Sequence, residues 1–363
     1  MKVLLTGGGT GGHIYPALAL AKNIREHYPQ AELLYVGTKT GLEADIVTKT
    51  DIPMSYIQVS GFKRSLSFHN FKVIYQFITA CRQVKKIFQT FQPDVVVGTG
   101  GYVAGPVVYM AKQCKIPSII HEQNAIPGLT NTFLSHFADV VAVTFPETQA
   151  KFSQAAKVVV TGNPRASEVA LADKQHGITS LGVKADMPTV LALGGSRGAK
   201  AINDFMETLL DSKEELPFQL IFVTGNVHYD RFKMKGKRAN VHIHPYIYNM
   251  PEVLACADLV IGRAGATFLA EVTSLGIPSI LIPSPYVTNN HQFHNAKALE
   301  KQGAAIVVEE KNIEAAKLKE TINNLIHNKS ALEELQSAAK NLGKPDSADT
   351  FRKEIEALVR RKR

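Results

Sequence analysis

Short apolar runs alternate with amphipathic stretches along almost the whole of this chain. In the first half the runs Lys2–Thr6, Ala31–Val36, Asp94–Gly98, Ser118–His121, Val140–Thr144 and Val158–Thr161 are rich in Val and Ile and barely alternate. Such runs predict strands buried on both faces, the mark of a parallel sheet, with helices as crossovers. Gly162-Asn163-Pro164-Arg165 interrupts the rhythm, and a polar stretch follows up to Pro188. A second alternation then places strands at Thr189–Leu193, Gln219–Thr224, Val241–His244, Leu259–Gly262, Ser279–Ile282 and Ala305–Val308. The expected fold is α/β: two Rossmann-like, doubly wound parallel-sheet domains over residues 1–163 and 164–340. A helical tail over 341–363 is expected to pack back on the first domain. A chain of 363 residues is long enough to need two cores. Ligands in such sheets bind beyond the carboxyl ends of the strands, so two facing domains imply a cleft between them.

Both domains open on a strand, a glycine turn and a helix. The first reads Lys2-Val-Leu-Leu-Thr6-Gly-Gly-Gly-Thr10-Gly-Gly-His13, five glycines in six positions ending in one titratable side chain. The second reads Gly194-Gly195-Ser196-Arg197-Gly198, and a further turn, Gly98-Thr-Gly-Gly101, follows an internal strand. Glycines there let backbone N–H groups and a helix N-terminus approach an anionic or polar ligand. Gly7-x-Gly9-x-x-Gly12 formally matches a dinucleotide fingerprint, but that reading wants an acid at the end of the second strand to hold a ribose. Tyr35-Val36-Gly37-Thr38-Lys39 and Val223-Thr224-Gly225-Asn226 offer none, which disfavours a nicotinamide oxidoreductase. No glycine turn ends in Lys-Ser/Thr, so a Walker loop is absent as well.

Charge narrows the partners. With 41 Lys+Arg against 32 Asp+Glu the chain carries +9, which favours anionic ligands or surfaces. Three widely spaced cysteines, Cys81, Cys114 and Cys256, argue against disulfides and zinc sites and for a reducing compartment. Met1 leads straight into a strand, and no apolar run reaches about 18 residues, so neither secretion nor membrane spanning is expected.

Other polar clusters stand where strands should exit. His121-Glu122-Gln123-Asn124 follows an apolar run and reads as a ligand-side edge or as a solvated loop. Arg263-Ala-Gly265-Ala266-Thr267-x-x-x-Glu271 leaves a strand and enters a helix; Glu271 there is either a ribose-binding carboxylate or a helix-surface acid. Asn289-Asn290-His291-Gln292 supplies amides suited to sugar hydroxyls, which need donors and acceptors together. There is no Asp-x-Asp and no metal-like His/Asp spacing, so glycosyl transfer would run without a metal, on helix N-termini and Arg.

From Ile52 to Pro93 there is no Asp or Glu, while Lys63, Arg64, Lys72, Arg82, Lys85 and Lys86 are interleaved with aromatic and aliphatic residues. Phe71, Ile74, Tyr75 and Ile78 fall at helical spacing beside Phe68. A basic, aromatic, acid-free amphipathic segment suits an anionic membrane surface; the bland alternative is a core helix with a basic outer face. No recognised nucleic-acid module is present.

Taken in order, Gly8-Gly9-Thr10-Gly11-Gly12-His13-x-x-Pro16-Ala17, Gly98-x-Gly100-Gly101-Tyr102-x-x-Gly105-Pro106, His121-Glu-Gln-Asn124, Gly162-Asn-Pro-Arg165, Gly194-Gly-Ser-x-Gly-Ala199 and Arg263-x-Gly265-Ala-Thr267-x-x-x-Glu271 resemble the MurG family of bacterial cell-wall glycosyltransferases. The resemblance runs through nearly the whole chain. It implies a GT-B fold, no cofactor and no metal. It also implies a C-terminal domain holding UDP-N-acetylglucosamine and an N-terminal domain holding an undecaprenyl-linked muramyl-pentapeptide at the cytoplasmic membrane face. By position, Ser196 and its turn would cradle the diphosphate with Arg165 nearby, Ile247 and Met250 would sit by the uracil, and Glu271 would hold the ribose. Gln292 and Asn124 would contact the sugar alongside Thr10, Gly11 and Gly12; Tyr102, Arg263, Ala266 and Thr267 complete the substrate set. Some members carry Gln-Gln where this chain has His291-Gln292, so the transfer is made for Gln292 alone.

The family inverts the anomeric centre, the muramyl 4-hydroxyl attacking opposite the departing UDP. His13 is the first candidate for general base, since an imidazole accepts a proton near neutral pH; His121 and Glu122 are the alternatives. Competing readings are a GT-B transferase with another lipid acceptor such as diacylglycerol, a UDP-sugar epimerase, and a non-catalytic UDP-sugar sensor.

Overall fold

The computed structural model describes residues 1–61, 68–195, 198–212, 214–235 and 238–362, with the side chains of 68–72 and 362 outside that description. The chain forms two compact units, Met1–Ser167 together with Asp346–Arg363, and Glu168–Pro345. The sequence pattern put the joints at 163 and 340; the chain changes unit after Ser167 and returns at Asp346.

The first unit is built on strands β1 (Lys2–Thr6), β2 (Glu32–Gly37), β3 (Met54–Tyr56), β4 (Val95–Gly98), β5 (Ser118–Glu122), β6 (Val140–Val143) and β7 (Val158–Val160). All described pairings are parallel, in the order β3-β2-β1-β4-β5-β6-β7. Crossovers include helices α1 (Gly11–His27), α2 (Leu42–Val47), α3 (Phe68–Phe91), α4 (Ala104–Gln113) and α5 (Leu129–Leu134). The near-continuous apolar strands follow from burial on both sides, because successive side chains face opposite ways. Val3, Leu5, Val95 and Val97 pack with Ile14, Leu20 and Ile24 of α1. Leu4, Val96 and Val141 pack on the other side with Ala80, Val84 and Phe88 of α3 and Val107 of α4. β3 escapes the sequence pattern because Met54-Ser55-Tyr56 is a three-residue edge strand without an apolar run.

Helix α6 (Arg165–Ala170) carries the chain across to the second unit. Its strands are β8 (Thr189–Leu193), β9 (Gln219–Val223), β10 (Val241–His244), β11 (Leu259–Gly262), β12 (Ser279–Leu281) and β13 (Ile306–Val307), parallel in the order β10-β9-β8-β11-β12-β13. Helices α7 (Lys174–Leu181), α8 (Lys200–Asp211), α9 (Tyr229–Phe232), α10 (Met250–Ala255), α11 (Ala266–Leu275), α12 (His291–Lys301), α13 (Ala315–His327) and α14 (Lys329–Leu342) surround them. On one face Ile202, Phe205 and Met206 of α8 and Leu318 and Ile322 of α13 cover Val190, Leu220 and Ile261.

The closing helix α15 (Ser347–Lys362) belongs to the first unit, where Phe351, Ile355 and Leu358 join the α1 core. Asn23 of α1 fastens it: Arg352 Nε, 9% exposed as a residue, donates to Asn23 Oδ1 at 3.2 Å, and Asn23 Nδ2 donates to Asp349 at 3.0 Å. Among the described residues no helix is long and apolar enough to cross a membrane.

Candidate active site

In each sheet the strand order reverses once, between β1 and β4 and between β8 and β11. Turns leaving neighbouring strands diverge there, which opens a crevice at the carboxyl edge. Thr6 lies beside Gly98 and Leu193 beside Gly262, so the predicted glycine turns and the Arg263 cluster all sit at a switch point.

The two turns of the first unit are laid backbone to backbone. Gly8 N donates to Gly100 O at 3.2 Å. A Cβ at Gly101, which stands at φ +79°, would come within 2.2 Å of Gly8 O. Thr99 Oγ1 donates to the His13 carbonyl at 2.6 Å, and the buried Tyr35 hydroxyl donates to Gly7 O at 2.7 Å. Beneath the turn lies Glu43, fully buried, accepting from Gly9 N at 3.1 Å, Thr38 N at 3.0 Å and Thr38 Oγ1 at 2.6 Å. The N–H groups of Gly8 and Gly9 are thus spent inside the protein.

His13 is half-buried in the first turn of α1, with Nδ1 2.9 Å from Gly8 O and 3.3 Å from Thr10 Oγ1. A carbonyl can only accept, so the Gly8 contact puts the proton on Nδ1 and the basic lone pair on Nε2. The ring edge bearing Nε2 faces the Gly100 backbone; a Cβ there would stand 2.9 Å from Cδ2 and 3.1 Å from Nε2. Thr10 is exposed, Gly11 and Gly12 begin α1, and the Tyr102 ring lies against Gly9 and Gly61.

His121, Glu122 and Gln123 are buried rather than forming a solvated edge. His121 Nε2 bonds Gly162 O at 3.0 Å, and burial, with a smaller contribution from nearby His13, drives its pKa down to about 4. The Glu122 carboxylate accepts from Asn124 N and Nδ2, Gly128 N and Asn131 Nδ2, all within 3.1 Å. That pattern makes Glu122 the organiser of the loop leading into α5, and Asn124 is held by it. Arg165 lies in the first unit, its guanidinium 5.6 Å from the centre of the Tyr15 ring.

The glycine turn of the second unit is described at Gly194, Gly195 and Gly198. A Cβ at Gly194 would meet Ala199 N at 2.2 Å and one at Gly198 would meet Thr224 O at 2.2 Å, whereas one at Gly195 or Gly265 would meet nothing within 4 Å among the described residues. Ser196 lies outside the described residues. Ala266 and Thr267 open α11, and Glu271, 8% exposed, follows in its second turn. Arg263 is engaged within the unit: Nη1 donates to Ile282 O at 3.0 Å and pairs with Glu310 at 2.6 Å. Gln292 Oε1 accepts from Ser284 N at 2.9 Å, which turns its amide N–H groups elsewhere. His291 Nδ1 donates to Thr288 O at 2.8 Å. Ile247 is buried and Met250 begins α10.

On α3, Val73, Ala80, Val84 and Phe88 face the core, while Ile74, Tyr75 and Ile78 are 50%, 68% and 49% exposed. Lys85 and Lys86 are exposed too. The side chains of Phe68, Phe71 and Lys72 lie outside the described residues. Ring contacts run from Phe77 through Tyr109 and Phe137 to Phe133, joining this helix to the exposed Phe133 of α5. The sequence pattern missed α5, Tyr35, Asn131 and Glu43. The first acid after β2 is Glu43, beyond the Tyr35–Lys39 stretch, and it turns inward onto the glycine turn.

Two Rossmann-like units, each with its polar turns gathered at a sheet switch point, make the GT-B fold. Residues 3–143 match the glycosyltransferase family 28 N-terminal domain and residues 189–351 match the family's C-terminal domain. The chain belongs to glycosyltransferase family 28. It is 49% identical over 352 residues, covering 96% of this chain and 97% of the relative, to the UDP-N-acetylglucosamine--N-acetylmuramyl-(pentapeptide) pyrophosphoryl-undecaprenol N-acetylglucosamine transferase of Listeria monocytogenes. The crystal structure of Acinetobacter baumannii MurG superposes with a TM-score of 0.78 at 30% identity, over 98% of this chain and 99% of that one. The UDP-GlcNAc 2-epimerase of Neisseria meningitidis, at 16% identity, 98% and 100% coverage and a TM-score of 0.71, shares the fold.

Proposed function

We propose that this protein transfers N-acetylglucosamine from UDP-N-acetylglucosamine to the 4-hydroxyl of muramyl-pentapeptide carried on undecaprenyl diphosphate, with inversion at the anomeric carbon. The observation that carries the mechanism is the His13 imidazole, held by Gly8 O on Nδ1 so that Nε2 is its basic atom. Nε2 takes the acceptor proton as the oxygen bonds to the anomeric carbon. The bond from that carbon to the β-phosphate oxygen breaks on the opposite side, and its electron pair leaves with UDP. General-base help of this kind contributes about 10²–10⁴-fold.

Assignment of the donor to the second unit is supported by the contrast between the turns. Gly8 and Gly9 N–H are already bonded, and Glu43 behind them would repel a diphosphate. Among the described residues nothing crowds Gly195 or Gly265, and α8 and α11 direct their N-termini to the same sheet edge, where developing negative charge is stabilised. Glu271 would take the ribose, Ile247 and Met250 the uracil, and Gln292 the sugar. His121 and Glu122 act as positioning residues, since their polar atoms are bonded within the first unit.

The acceptor's lipid calls for a membrane surface. The exposed Ile74, Tyr75 and Ile78 with Lys85 and Lys86 beside them support peripheral docking on anionic lipid at the cytoplasmic face, α3 lying in the headgroup region. The test is transfer of radiolabelled N-acetylglucosamine from UDP to a lipid-linked muramyl-peptide analogue, with diacylglycerol as the competing acceptor. Label on the muramyl sugar is expected. Label on diacylglycerol alone, or UDP-sugar binding without transfer, overturns the assignment.

A further inference from the structure

Glu43 is a fully buried carboxylate on α2, and it makes no ion pair among the described residues. Burial without a counter-charge is costly unless hydrogen bonds stabilise the anion, and three do so here. The surroundings are shaped to admit it. A Cβ at Gly8 would stand 2.6 Å from its carboxyl carbon, one at Gly41 2.4 Å from the same atom, and one at Gly37 2.8 Å from its Cγ. Three positions therefore forgo a side chain around this one group.

Its Oε2 binds the Gly9 N–H, and the oxygen of that same peptide group, Gly8 O, binds His13 Nδ1. We propose that Glu43 is a positioning residue for the His13 base, acting through the single peptide between Gly8 and Gly9. An amide whose N–H is held by an anion carries more negative charge on its oxygen, so the two hydrogen bonds strengthen each other. When Nε2 takes a proton, the polarised Gly8 carbonyl stabilises the imidazolium at Nδ1. Before that step it keeps the proton on Nδ1 and the lone pair on Nε2, the task a carboxylate performs by direct contact in a serine-protease triad. Gly9, at φ +81°, belongs to a backbone free to turn its peptide over, and the carboxylate prevents this. The preceding peptide is pinned by neutral groups, Tyr35 hydroxyl on Gly7 O and Gly100 O on Gly8 N–H, so the charge enters through Glu43.

The inference rests on His13 being the base. Two other titratable groups at this turn, Tyr35 and His121, are held neutral near pH 7 by burial. Burial, and secondarily Glu43, raises the pKa of Tyr35 on β2; burial keeps His121 on β5 neutral. Glu122 on β5 is held by hydrogen bonds from the α5 loop. On this geometry we assign the acid limb of the pH–rate profile to His13, and its own NMR titration checks that assignment directly.

The experiment compares full-length Glu43→Gln with the parent in the pH dependence of kcat/KM and in the His13 titration followed by NMR on histidine-labelled protein without substrate. Expected are a fall in kcat of about 10–100-fold, by analogy with the outer partners that orient metal-bound histidines, and unchanged UDP-N-acetylglucosamine affinity. The acid limb and the NMR pKa should move to lower pH together, because losing the carboxylate destabilises the imidazolium. An unmoved His13 pKa in a folded Glu43→Gln protein overturns the relay even if activity falls. Should that variant not fold, Glu43→Asp keeps the charge at shorter reach; a smaller shift in the same direction supports the relay and no shift overturns it. In a His13→Ala background Glu43→Gln should add no further loss, and an independent, multiplicative loss overturns the relay alone. Parental turnover in His13→Ala overturns the base assignment itself.

Discussion

The imidazole of His121 meets the ring of Phe351 edge to face, with centroids 5.6 Å apart and planes at 82°. A residue of the fifth strand is thereby backed by the closing helix, which returns to the first unit after the chain has built the second. Both side chains are fully buried, so the contact is part of the core behind the His13 turn rather than a surface accident.

Phe351→Ala should therefore destabilise the first unit by about 3–5 kcal/mol, the usual cost of emptying a buried phenylalanine site. In a calorimetric scan the transition of that unit should fall while that of the second unit stays in place. A single transition shifted for both units would contradict the assignment of α15 to the first.

His121 also makes stability depend on pH in a defined sense. Burial holds its folded-state pKa at about 4, below the ordinary histidine value of 6.5. As pH falls the unfolded chain binds this proton first, so the contribution is fully present above about pH 6.5 and is lost as pH falls towards 4. The slope from one such group is at most about 1.4 kcal/mol per pH unit. Urea unfolding of His121→Gln across that window should show a slope shallower than the parent's by up to that amount; equal slopes would place the acid sensitivity elsewhere.

His13→Ala should cut turnover by about 10²–10⁴-fold with little change in UDP-N-acetylglucosamine affinity, measured by titration calorimetry. Affinity collapsing in step with turnover would make His13 a binding residue.

Charge reversal on α3 tests the membrane surface. Each basic residue near an anionic surface contributes about 1 kcal/mol, so Lys85→Glu with Lys86→Glu should weaken binding to phosphatidylglycerol vesicles by roughly 30-fold or more. Tyr75→Glu should weaken it further, and transfer to a water-soluble acceptor analogue should be unaffected. Unchanged vesicle partitioning would remove α3 from the docking surface.

Much of this protein was legible without its coordinates. Strand, glycine turn and helix follow from local apolar rhythm, and parallel sheets bury their strands on both faces, so the two units and their order could be read from runs of Val, Ile and Leu. The turns at Gly7–Gly12 and Gly194–Gly198 and the helical stripe of Ile74, Tyr75 and Ile78 could be placed in the same way, whereas the half-burial of His13 and the exposure of that stripe came only with the fold. What the linear pattern could not contain is which distant atom meets which. Glu43 reaches Gly9 because β1 and β2 are neighbours, and the polar run His121–Gln123 is buried because the Gly162 carbonyl and the α5 loop close over it. Arg263 meets Glu310 for the same kind of reason. Periodicity records whether a side chain faces the core, but a hydrogen-bond partner is chosen by strand order and turn geometry, and those exist only once the chain has folded.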